Sequence, residues 1–311
     1  MHRSFFHIIS ITAFLLVLMF VGKNPARTDS LENEDVMQLV AGDGYLSRSA
    51  SHKVIVYAHE GELRESLMAE GATLVEDYGG FSLLGVPSGT LRRVNLDSTK
   101  GSGLRDDMNL IFLRAGVFDT TEGEPSALRI ADEPVSSDRQ LYLVQMAGPV
   151  KEEWLDRLKE AAEVLSYIPN NAYLVRANRE GLALIERMKA SQGGFIQWSG
   201  DYKPAYKIAP EIPLAIDKEI TVSVQLVTGE QTADEINQVA SLGAGYLETE
   251  QSSVLGYTNI RLKAHASRLP EIARMSNVTW IEPYNEPRLF DERQNLIIAG
   301  TFTGRQLGAP D

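Results

Sequence analysis

Peptide hydrolysis, phosphoryl transfer and metal chemistry each need particular side chains at particular spacings, and this chain of 311 residues offers few of them. Its five histidines are His2, His7, His52, His59 and His265. The first two lie in an apolar N-terminal run, so a Ser-His-Asp hydrolase would have to use one of the other three. None of these has a His-Gly-Thr-like surrounding, and no serine stands in a Gly-Thr-Ser-like turn before a helix. Asp119-Thr120-Thr121 has threonine where an Asp-Thr-Gly motif has glycine, and reads as a solvated loop. Gly80-Phe81-Ser82 lacks the second glycine of a nucleophile elbow, because Leu84 occupies its place. His59-Glu60 has no second histidine four residues after the first, as a zinc-protease helix requires.

Asp106-Asp107, and Glu122 with Glu124, supply oxygens suited to calcium, but acidic loops are ordinarily just hydrated. Gly101-Ser102-Gly103 is a bend rather than a phosphate loop, since no helix opening on Lys-Ser or Lys-Thr follows. Asn277-Val278-Thr279 fits a glycosylation sequon but falls in an expected strand. His265, beside Leu269 and Ile272 at helical spacing, reads as a partly buried structural histidine. No motif marks a catalytic, cofactor-binding or metal-ligating residue, so no cofactor and no enzyme activity of the chain's own are expected.

Composition narrows the remaining classes. The chain has no cysteine, which excludes disulfides, thiolate metal sites and cysteine nucleophiles. A formal net charge of -12 without a Lys/Arg run disfavours nucleic acid. His2 and Arg3 precede an apolar stretch from Phe5 to Val21, followed by a polar break at Gly22 to Ala26. That pattern predicts a signal peptide or N-terminal anchor over residues 1–26, hence a secreted or periplasmic protein that meets a membrane only through residues 5–21.

Beyond a polar linker at residues 27–52 the chain repeats one order of elements, β-α-β-β-α-β. In residues 139–210 it reads as strand Leu141 to Met146, helix Val150 to Ala161 and strand Val164 to Ile168. A turn at Pro169-Asn170-Asn171, strand Ala172 to Arg176, helix Arg179 to Ala190 and strand Phe195 to Trp198 complete it. Residues 218–290 repeat it, with strands from Ile220, Tyr246, Thr258 and Asn277 and helices Thr232 to Leu242 and His265 to Met275. Residues 53–120 form a less regular first copy, closed by a strand at Asn109 to Leu113, and residues 121–138 link it to the second. The two regular copies end alike, in Trp198 with Tyr202 and in Trp280 with Tyr284, pairs that read as structural rather than ligand-binding. The expected class is α+β: about three tandem ferredoxin-like modules, each a four-stranded antiparallel sheet with two helices on one face and the other face free for a partner or neighbour.

Three stretches carry a family likeness: Leu141 to Pro149, Tyr167 to Arg176 and Gln197 to Ile208, supported by Asp106 to Pro125 and the tail at Asp291 to Gly304. Over residues 53–311 the chain resembles the N-terminal pro-region of large bacterial subtilisin-like (S8) serine proteases, without the protease domain that would follow. The resemblance implies an exported, non-catalytic module that binds, chaperones or inhibits a subtilisin-like protease domain. It also implies a protease-contacting tail within residues 291–311, at Asn295, Leu296, Ile297, Ile298, Ala299 and Gly300. Two other readings are a truncated protease precursor and a stand-alone exported interaction protein.

Overall fold

Alternation along a strand decides which side chains face which layer, and the central strand of the middle sheet shows how. In the computed structural model, β7 (Gln140–Met146) is buried from Leu141 onward. Tyr142, Val144 and Met146 face two helices, α3 (Glu152–Ala161) and α4 (Arg179–Ala190). Leu141 and Leu143 point the other way, into a second apolar layer. A strand covered on both faces needs a cover for each, and the chain supplies both.

Described residues are 46–94, 96, 101–123, 139–191, 193–215, 218–229, 232–243, 245–248 and 256–284. Side chains of residues 245–248 are not among them. All belong to the second of the chain's two units, Asp43–Asp311.

The first sheet holds β1 (Ser51–Tyr57), β2 (Thr73–Asp77), β3 (Phe81–Pro87) and β4 (Gly103–Leu104), in the order β2-β3-β1-β4. Helices α1 (Gly61–Ala69) and α2 (Ser88–Arg93) connect its strands, and Leu67 of α1 packs with Val54, Val56, Leu84 and Val86. The middle sheet adds β8 (Glu163–Ile168), β9 (Ala172–Ala177) and β10 (Ile196–Asp201) to β7, in the order β10-β7-β9-β8. The third sheet holds β11 (Glu219–Val227), β12 (Gly245–Glu248), β13 (Tyr257–His265) and β14 (Val278–Pro283), in the order β12-β13-β11-β14. Its helices are α5 (Thr232–Leu242) and the short α6 (Leu269–Ala273). The fold is α+β, with three antiparallel four-stranded sheets, each with its first and third strands side by side at the centre.

Three expectations fail locally. The strand foreseen at Asn109 to Leu113 does not close the first sheet. Instead β5 (Leu110–Leu113) pairs with β6 (Gly116–Asp119) as a separate hairpin, and β4, placed in the expected Gly101 to Gly103 bend, closes the sheet beside β1. The apolar run Leu110 to Leu113 was the stronger strand signal, but hydrophobicity does not say which sheet a strand joins. The helix foreseen from His265 to Met275 is shortened: His265 is the exposed last residue of β13, and a 3-10 turn at Ala266–Arg268 precedes α6. Alternation Tyr257 to His265 carries the strand past the point where the helical reading began it.

Two of the outer sheet faces take a neighbouring part of the chain. Ile111, Leu113 and Phe118 of the hairpin lie on Leu141, Leu143 and Leu174, with Tyr206 completing the layer. Phe118 meets Trp198 edge-on (5.6 Å between centroids) and stacks on Tyr206 (5.9 Å). The outer face of the first sheet, Ile55 and Leu83, is covered by Met108 and by the approach of Gly148. A Cβ at Gly148 would lie 2.5 Å from Leu83 and 2.9 Å from the Tyr78 hydroxyl, so a side chain there would have to displace both. Tyr78 donates to Pro149 O at 2.8 Å, and Lys151 pairs with Glu76 at 2.8 Å. Two of the three outer faces are thus filled from within the chain.

Candidate functional site

A four-residue 3-10 turn, Asp106–Asn109, sits where the first sheet, the hairpin and the middle sheet meet. Asp106 is fully buried, and a buried carboxylate needs donors on its lone pairs. It has three: Ser47 N (3.0 Å), Lys53 N (2.8 Å) and His52 Nδ1 (2.6 Å). Because a carboxylate only accepts, His52 Nδ1 donates in that bond, and Nε2 is the ring nitrogen turned away from Asp106. Ser88 Oγ lies 2.9 Å from Nε2. Asp106, His52 and Ser88 therefore form a row with the connectivity of a hydrolase triad.

No sequence motif marks this row. Its members are 36 and 54 residues from His52 in sequence, and none stands in a family-typical motif. A partial signal was present: Pro87 and Gly89 flank Ser88 at the junction of β3 and α2. Ser88 is half-buried and His52 buried. The Ser88 hydroxyl also lies 3.1 Å from both Ser49 O and Ala50 O, and its amide donates to Ala50 O at 2.9 Å.

Around the same turn, Lys53 is buried with its ammonium 3.3 Å from Met108 O. Burial pushes its pKa down to about 7, against the opposing pull of Asp106, Asp107 and Asp119. Asp107 is held by Arg105 through two bonds of 2.8 and 2.9 Å. Asp106 and Asp107 are therefore both engaged by protein donors, and among the described residues no His/Asp/Glu cluster suits a metal ion. Asp119 is buried, not solvated as its sequence suggested, and accepts from Thr121 N at 2.7 Å.

The Pro169-Asn170-Asn171 turn has a physical reason for its residues. Asn170 and Asn171 both have positive φ (78 and 64), which asparagine tolerates better than most side chains. Asn170 Nδ2 then reaches Asp107 O and, at 2.9 Å, Leu110 O. Gln145, fully buried, donates to Leu110 O (3.0 Å) and Met108 O (3.2 Å), while its carbonyl accepts from Thr120 (2.7 Å) and Gln197 (3.1 Å). The hairpin is pinned to the middle sheet by polar bonds as well as by its apolar face.

The tryptophan–tyrosine pairs land on the outer sides of their sheets. Trp198 faces the hairpin, its ring lying across Gly200, where a Cβ would be 2.5 Å from the indole. Tyr202 donates to Thr279 O (3.0 Å) and Tyr206 O (3.2 Å), joining the middle and third sheets. Trp280 donates to Glu282 (2.8 Å), with Arg114 of the hairpin tip 5.2 Å above its ring. The Arg261 guanidinium lies 3.5 Å from the Tyr284 ring centre. Both tryptophans thus touch the same hairpin, from two sheets.

Asn277 is held by Glu235 (2.5 Å) and Arg176 (3.3 Å), positions that leave its amide committed rather than presented for glycosylation. Lys207 is buried, donates to Met275 O at 3.0 Å, and is pushed by burial down to about 7. A shallow cleft of about 400 Å³ opens on the third sheet, lined by Glu211, Ser223, Glu282, Pro283 and Tyr284. The tail residues Asn295, Leu296, Ile297, Ile298, Ala299 and Gly300, and the apolar residues 5–21, lie outside the described residues. Among the described residues no helix is long and apolar enough to cross a membrane.

No curated protein matches this chain. Residues 112–203, which run from the hairpin through the middle sheet, are similar to a family described as a domain of unknown function, DUF8729.

Proposed function

We propose that the chain is an exported pro-region-like module, built from three ferredoxin-like units, that binds a subtilisin-like serine protease domain and chaperones or inhibits it. The observation that carries this reading is the unequal covering of the three outer sheet faces. The first two are filled from within the chain, by Met108 with Gly148 and by the hairpin. The third meets the hairpin tip at Trp280, but the rest of it is polar: Thr221, Ser223, Asn259, Arg261 and Glu282 are half-buried, Lys263 is exposed, and the cleft opens there. A docking partner of the third sheet would meet charged and hydroxyl groups next to β14, whose end leads into the tail. Support also comes from the repeated strand order and from the likeness to S8 pro-regions.

Titrating a bacterial subtilisin-like protease with the purified protein tests it. The expected result is stoichiometric loss of peptide hydrolysis, weakened about tenfold or more by a charge reversal at the exposed Lys263, Lys263→Glu, without a change in melting temperature. Unchanged protease activity together with no complex on size exclusion would sink the reading.

A further inference from the structure

We propose that Ser88 is an activated nucleophile, able to take an acyl or phosphonyl group from an activated ester-type electrophile, with His52 as its base and Asp106 as the positioning residue. Three observations converge on it. Asp106, fully buried and fixed by two backbone amides, holds the His52 ring from Nδ1 at 2.6 Å. That leaves Nε2, 2.9 Å from Ser88 Oγ, as the most basic acceptor near the hydroxyl. Ser88 itself is half-buried at a strand-to-helix junction, while His52 and Asp106 are sheltered from water, which strengthens their pairing.

The hydroxyl has one proton and three acceptors within reach. The Ser49 and Ala50 carbonyls, both at 3.1 Å, compete with the imidazole but are farther away and far less basic. In the reaction, Ser88 Oγ bonds to the electrophilic carbon or phosphorus and its proton passes to His52 Nε2. The bond to the leaving group breaks, and the leaving group departs with the bonding pair, as fluoride from a fluorophosphonate or as an alkoxide that recovers the proton from His52. The Ser88 amide, committed to Ala50 O, does not point at a developing oxyanion. One such donor is worth about 10²- to 10³-fold in rate. The site therefore suits capture of an activated electrophile rather than turnover of a peptide bond, which keeps it compatible with a binding role.

The test is incubation of the folded protein with a fluorophosphonate probe, followed by peptide mass spectrometry. The expected adduct is on Ser88, formed about tenfold or more faster than on the same residue in urea-unfolded protein, a modest share of the 10²- to 10⁴-fold available to general-base catalysis. Ser88→Ala removes it, and His52→Gln, checked for folding by circular dichroism, slows it by at least as much. No adduct, labelling spread over many serines, equal rates folded and unfolded, or a folded His52→Gln variant that reacts as fast as the parent would each overturn the proposal. Comparing folded with unfolded parent protein decides the matter even where a variant fails to fold.

Discussion

Single residues set the pH response of this fold. Lys207 is buried among apolar groups, and its folded pKa of about 7 lies below the ordinary value of 10.5. Between these values the unfolded chain binds a proton that the folded chain does not, so stability rises with pH from about 7 toward 10.5 and this contribution is level below 7. Lys53 adds to the same slope, for the same cause. Lys207→Met keeps the length and removes the desolvation cost. Chemical denaturation is expected to find the variant on the order of 2 kcal/mol more stable at pH 7, with a shallower rise toward pH 10. A variant less stable than the parent at pH 7 would mean that the bond to Met275 O outweighs burial. Gln145 is the opposite case, because all of its polar atoms are used. Gln145→Ala strips bonds from Met108, Leu110 and Thr120 at once, and urea unfolding should show a loss of about 2–4 kcal/mol.

Among the elements, the β5–β6 hairpin has the most consequence. Ile111 and Phe118 stand opposite each other in its register and share the face laid on the middle sheet. Truncating Phe118 to alanine removes contacts to both Trp198 and Tyr206, so a loss of about 3–5 kcal/mol is expected, with a red shift in tryptophan emission. Unchanged stability and emission would contradict the hairpin's role as a cover. Sequence patterning made much of this scale legible. Helices α4 and α5 begin and end where periodicity placed them, and the middle sheet's strands fall within a few residues of expectation. What patterning could not supply was partnership. Leu110 to Leu113 reads as a strand in any context, and its long-range partners, apolar on Leu141 and Leu143 and polar at Asn170 and Gln145, decide which sheet it serves. The Asp106–His52–Ser88 row was hidden for the same reason, since hydrogen bonds across 36 and 54 residues leave no local spacing to read.

Across the whole molecule, the three sheets share buried surfaces. Gly148 presses on Leu83, the hairpin lies on the middle sheet with its tip at Trp280, and Tyr202 bonds across to Thr279. Units joined by apolar burial and committed hydrogen bonds unfold together. Calorimetry should record one transition, and Gly148→Val should split off an earlier one by driving a side chain into Leu83 and Tyr78. Three separate transitions in the parent protein would show the sheets to be autonomous.

The Gly148 contact also imposes an order of events on a chain made from its N-terminus. Ile55 and Leu83 are synthesised long before residues 147–149 exist to shield them. A nascent polypeptide that ends near residue 130 therefore carries a greasy patch that Met108 alone can cover, a handle for holdases, which closes once about twenty more amino acids have followed.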